Sequence, residues 1–278
     1  MDWLTWLEEP LRFALFQRSL VALSFIGVLS GVVGSFVVVR DVVFLGEALG
    51  HSLTPGVALA LLLGVDVTLG GFVTAIVAVL VIFWLSQYEG LNEHSAIGIV
   101  MSAMFALGVA IISRTSSFQI DVVHLLFGSP LGISVADLQL SIALGAIVIL
   151  VVIALFKELQ LISFDPNWAE SANLPARNLH ALLLILIAMT VVASLRTLGV
   201  GLFLAMLVTP ATTARILTKR LRDMVWLAAL FGMMSGLIGF YIAYYFALPT
   251  ASAVALTAFI FLGIALLRQQ WRIYRAQS

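Results

Sequence analysis

Two side chains able to bind a cation stand four residues apart inside an otherwise apolar stretch. They are Glu47 and His51, within residues 41–64, DVVFLGEALGHSLTPGVALALLLG. On a helix this spacing brings a carboxylate and an imidazole to one face. That donor pair suits Mn(II), Fe(II) or Zn(II). Two ligands make a loose site, which fits a cargo that must be released. The same spacing also serves a buried Glu–His hydrogen bond that only holds helices together, and spacing does not separate the two readings. Pro55 and Gly56 predict a break just beyond the pair, tolerated in lipid where the freed backbone is buried or lines a cavity.

Other polar groups compete for attention. Glu93 and His94 fall in one expected loop, Asp121 and His124 in another ahead of LLFGSP. Carboxylates and histidines in loops are mostly solvated, so all four are expected outside the central site. Residues 163–175, SFDPNWAESANLP, read differently. Asp165 is a good N-cap and Pro166 a good first helical residue. Asn173 and Pro175 end the segment after about two turns. A short amphipathic helix there is a plain connector or a docking element for a partner.

The elements that must position these groups follow from composition. Of 278 residues, 62% are hydrophobic and 10% charged, with mean hydropathy +1.15. Ordinary soluble domains carry about 25% charged residues, so the apolar surface belongs in a membrane. Spanning helices need roughly 20 apolar residues. Such stretches occur near 19–39, 44–63, 67–86, 95–113, 136–156, 179–195, 198–217, 224–246 and 251–267. The expected fold is an all-α, polytopic transmembrane bundle of about eight or nine spanning helices. It forms one domain over residues 1–278, with an amphipathic N-terminal segment over 1–18. The 198–217 stretch carries Pro210 among threonines and is expected to be broken or partly re-entrant. Asp2, Glu8 and Glu9 precede the first basic residue, unlike a cleavable signal peptide, so the first span is expected to stay in the mature protein.

Lys and Arg favour the cytoplasmic side of membrane helices. Arg215, Lys219, Arg220 and Arg222, then Arg268, Arg272 and Arg275, form the richest clusters. Placing both inside makes the two helices between them a hairpin and puts residues 157–178 inside as well. The same walk places the N-terminus outside. GVLSG at residues 27–31 supplies small residues for close helix contact, expected as intramolecular packing rather than a dimer seam. Zero formal charge without a basic stripe argues against nucleic-acid binding. The absence of cysteine excludes disulfides and thiolate sites. The sequence has no HExxH, GxSxG or GxxxxGK[ST] pattern; residues 232–236 read GMMSG, with Ser235 one place late for a nucleophile elbow. If ATP drives this protein, another chain hydrolyses it.

Five ordered segments together resemble the permease family of manganese, zinc and iron ABC importers. They are GVVGSFVVVRDVVFLGEALGHSLTPGVALA, AIGIVMSAMFALGVAIIS, LLFGSPLGISVADL, ISFDPNWAESANLP and GVGLFLAMLVTPATTARIL, spread from Gly31 to Leu217. The resemblance implies a fold related to the permeases for vitamin B12 and metal chelates, in the prokaryotic inner membrane. It implies a homodimer of permeases with two cytoplasmic ATPase subunits that bind ATP, fed by an extracytoplasmic metal-binding solute-binding protein. No cofactor is implied in this chain; zinc or manganese, or iron, is the transported ion. Glu47 and His51 match the family's candidate metal contacts. Phe164, Asp165, Pro166, Ala169, Leu174 and Pro175 match its coupling helix toward the ATPase. This chain departs from the family in having Glu47 for a usual Asp, Gly50 for Ser or Ala, His94 for the Asp of an eDtAIGI pattern, and Pro249–Ser252 without the glycine of a PSGA-like turn. An importer of a larger metal chelate is the alternative of the same broad class. A standalone secondary transporter or channel is the alternative of another, and an intramembrane enzyme is the weakest for want of a catalytic motif.

Overall fold

The computed structural model describes residues 10–113 and 132–277. After a 3-10 turn at Pro10–Arg12, the described helices are α1 Ala14–Val39, α2 Phe44–Leu63, α3 Val67–Leu85, α4 Glu93–Ile112, α5 Val135–Ala154, α6 Phe156–Phe164, α7 Pro166–Ser171, α8 Ala176–Leu217, α9 Leu221–Phe246 and α10 Thr250–Gln277. Among the described residues, seven helical segments are long and apolar enough to cross a membrane. Two more helical segments are less apolar or shorter than these. Helix α2 has the length, 20 residues, but Glu47, His51 and Pro55 lower its hydropathy. Leu202–Leu217 is apolar but short. The seven qualifying segments among the described residues are roughly close to the expected eight or nine. The first span begins at Ala14 rather than residue 19, so the end of the expected N-terminal segment is continuous with α1.

Helix α8 is two antiparallel rods. Its backbone breaks at Gly199, with φ 67° and ψ 172°, a region essentially reserved for glycine. The contacts establish the reversal. Arg215 donates from Nη1 to the Val38 carbonyl at the end of α1, 2.8 Å away. His180, at the start of α8, reaches the same end of the bundle through Glu93 and Arg40. An unbroken helix would hold His180 and Arg215 roughly 50 Å apart. The reversal at Gly199 falls where the expected 179–195 and 198–217 stretches meet, whereas Pro210 sits inside a continuous helix, which corrects the irregularity expected there.

Small residues set the packing around α1, the most enclosed spanning segment with 72% of its apolar window buried. Gly27 faces Gly232, Gly31 faces Ala228, and Gly236 faces Leu23, so α1 and α9 run antiparallel with backbones in contact. A Cβ added at Gly27 would enter the Gly232 carbonyl group. Close approach of this kind is how helices associate in lipid, where burial of apolar surface gives no net drive. GVLSG is therefore an intramolecular seam, as expected. This register places the end of α1 beside the start of α9, and the basic residues 215–222 share one end of the bundle with α6 and α7.

Pro55 lies inside an unbroken α2, which corrects the expected break. Proline removes one backbone donor, and the helix continues past it between close neighbours. Gly56 packs against Gly70 of α3, and Gly108 of α4 against Thr54 and Pro55. The 157–178 region holds a further element that sequence did not separate. At Leu155, φ −109° and ψ 26°, the chain turns from α5 into α6. Leu159 and Ile162 anchor α6 in the core.

Candidate metal pathway site

Glu47 and His51 project from the first half of α2, and both are half-buried. Neither forms a hydrogen bond or ion pair with another described residue. The His51 Nδ1 atom is buried without a partner. The alternative of a Glu–His hydrogen bond that merely ties helices together is thus not what this geometry holds. His51 rests its ring against Phe105 of α4, centroids 5.3 Å apart at 80°. This edge contact fixes the imidazole without using its nitrogens. Pro55 lacks the N–H that would bond the His51 carbonyl, which leaves a backbone oxygen near the imidazole free of that helical partner.

Depth follows from helix register. Helices α2 and α4 run side by side, with Thr54 at Gly108 and His51 at Phe105. Phe105 lies about 18 Å along α4 from Glu93, near the middle of a hydrocarbon layer about 30 Å thick. Ionisable groups at that depth face a polar cavity or pathway by default. Among the described residues no three His, Asp or Glu side chains cluster. The chain thus offers a two-side-chain donor set, with any further ligands drawn from water, backbone or another subunit.

Glu93 departs from the solvated state expected of it. Its side chain is 21% exposed and lies 3.5 Å from Arg40 Nη2 and 3.5 Å from His180 Nε2. Burial lowers the Arg40 pKa, and the charge and hydrogen bond of Glu93 offset part of that shift. The cluster joins the end of α1 to the starts of α4 and α8. His94, the next residue, is exposed. Sequence missed the cluster because Arg40 and His180 are far from Glu93 along the chain; the available signal was an arginine immediately after an apolar span. Asp121 and His124 lie outside the described residues.

The 163–175 segment forms α7 with the termini expected of it. Asp165 Oδ1 accepts from the Trp168 N–H at 3.0 Å, and Pro166 occupies the first turn. Asn173 at φ 57° reverses the chain before Pro175. Ala169 is buried and Leu174 half-buried, while Phe164, Asp165, Pro166 and Pro175 are exposed. Trp168, 59% exposed, adds an aromatic to this surface. The helix is anchored on its inner side and open on its outer side.

An all-helical bundle with seven described segments long and apolar enough to cross a membrane defines a polytopic membrane protein. The chain belongs to the ABC 3 transport family, whose model matches residues 12–269. It is 34% identical to the manganese transport system membrane protein MntC of Halalkalibacterium halodurans, covering 98% of this chain and 96% of that one. It is 34% identical to a probable iron transport system membrane protein of Haemophilus influenzae, covering 96% and 98%. Among solved structures it matches PsaBC from Streptococcus pneumoniae in complex with Fab, with TM-score 0.83, 31% identity and 94% of both chains covered. This is a multi-pass protein of the prokaryotic inner membrane.

Proposed function

We propose that the chain is the permease domain of an ABC importer for a divalent transition metal ion, with manganese favoured over iron and zinc. The observation that carries the site is the partnerless pair on α2, Glu47 and His51, with the His51 Nδ1 atom buried and unsatisfied. A carboxylate and imidazole, supplemented by water and the His51 carbonyl, form an oxygen-rich donor set that suits Mn(II). Relatives named for manganese and iron transport support the same range.

The basic end of the bundle faces the cytoplasm by the distribution of Lys and Arg. This puts α7 at the inner surface, where Phe164, Asp165, Pro166, Ala169, Leu174 and Pro175 form the coupling segment received by an ATPase subunit. ATP is bound and hydrolysed there, in the partner. Metal arrives from a solute-binding protein on the other side. Two copies of the permease pair through α4, whose Gly98, Ser102, Ala106 and Ala110 are exposed at helical spacing. Such a small-residue face permits close helix contact in lipid. It flanks Phe105 and His51, so the ion passes where the copies meet.

The experiment is metal content of cells that depend on this system, with the permease, its ATPase and the binding protein supplied together. Accumulation of manganese over zinc and iron, abolished when the ATPase cannot hydrolyse ATP, supports the reading. Equal accumulation with an inactive ATPase would make the chain a standalone carrier and sink it.

A further inference from the structure

A second cavity lies apart from the pathway, between α1, α5, α6 and α9 at the basic end. It holds about 790 Å³. Val32 of α1, Val152 of α5 and Val225 of α9 form its walls, and these positions fall in membrane-spanning segments. Lys157 of α6 and Arg222 of α9 stand at its rim. Both are exposed, and neither has an ion-pair or hydrogen-bond partner among the described residues. Glu158 also lines the rim and leaves one net positive charge there. Trp226, one turn after Arg222, is 72% exposed, as aromatic side chains are at a membrane–water boundary.

We propose that this groove holds one anionic phospholipid. An acyl chain lies along the aliphatic walls, and the phosphate sits between Lys157 and Arg222. Charge complementarity selects a lipid over a second copy of the chain. A two-fold symmetric contact presents the same patch from both sides, so it would oppose the unpaired cations of one rim to those of the other. The small-residue face suited to a second copy is on α4, not here. Basic recesses between membrane helices on the cytoplasmic side are a known type of headgroup site. The lipid would brace α6, which leads through Asp165 directly into α7, so lipid charge would bear on the segment offered to the ATPase.

The test is native mass spectrometry of the full-length chain with added phosphatidylglycerol or phosphatidylcholine. Wild type is expected to retain phosphatidylglycerol selectively. The double variant Lys157→Gln, Arg222→Gln should weaken that retention roughly tenfold or more, with its thermal midpoint in phosphatidylcholine unchanged. Val225→Trp, which fills the groove and keeps the cations, should also displace the lipid. Because the chain has no cysteine, Ile153→Cys at the groove can be cross-linked without background. Equal retention of both lipids, retention unaffected in the double variant, or chain-to-chain cross-linking through Ile153→Cys would overturn the proposal.

Discussion

At the scale of single residues, the distinction that matters is between polar groups with partners and those without. Glu93 pairs with Arg40 and lies beside His180; Glu47 and His51 have no hydrogen bond or ion pair with any described residue. Glu93→Ala leaves Arg40 buried without its counter-charge, so a loss of about 3–5 kcal/mol is expected. It is measured as a drop in the thermal midpoint of the purified permease. Protonation of His51 opposes metal binding, because a ligand must be unprotonated. Transport should therefore fall on acidification. A flat profile with a loaded binding protein would remove His51 from the pathway. The α2 pair was legible in sequence because ionisable residues stand out in an apolar run. The Glu93 cluster was not, since its members meet only when the ends of three helices are brought together.

At the scale of elements, small residues and caps decide geometry. Gly232→Val at the α1–α9 seam should force the backbones apart and destabilise the bundle by about 1–3 kcal/mol or more, seen as reduced yield of folded protein. Asp165→Ala removes the α7 cap bond, at a cost of about 1 kcal/mol. Metal-stimulated ATP hydrolysis in the assembled transporter should weaken while basal hydrolysis persists. Equal loss of both would point to failed assembly rather than coupling. Most helices were readable from apolar length, and α7 from its cap and terminators. Two features were not. Pro210 predicts an irregular 198–217 segment but sits inside a continuous helix, whereas the reversal at Gly199 falls where the expected 179–195 and 198–217 crossings meet. Pro55 suggests a break that does not occur, and Gly56 and Gly108 pack closely on either side of it.

At the scale of the molecule, the basic clusters, α6 and α7 share one end, and His51 lies level with Phe105, about 18 Å along α4 from Glu93, with Glu47 one turn nearer. That separation places the proposed ion contacts within the membrane and the proposed ATPase contact at its surface, so conformational change must connect them. Helices α1, α4 and α8 are the physical link, because the Arg40–Glu93–His180 cluster ties their ends together. Sequence carried the order of the apolar helices through hydropathy and roughly their number, while Lys and Arg set the sidedness expected of them. The pairing of α1 with α9 needed three-dimensional contacts. The most direct test of the account is metal uptake into proteoliposomes containing this permease, its ATPase and a loaded binding protein, comparing wild type with Glu47→Ala and His51→Ala. The account predicts ATP-dependent manganese uptake that falls at least roughly tenfold in each variant, the scale of losing a metal-site contact, while ATPase assembly is retained. Uptake unchanged in both variants would contradict it.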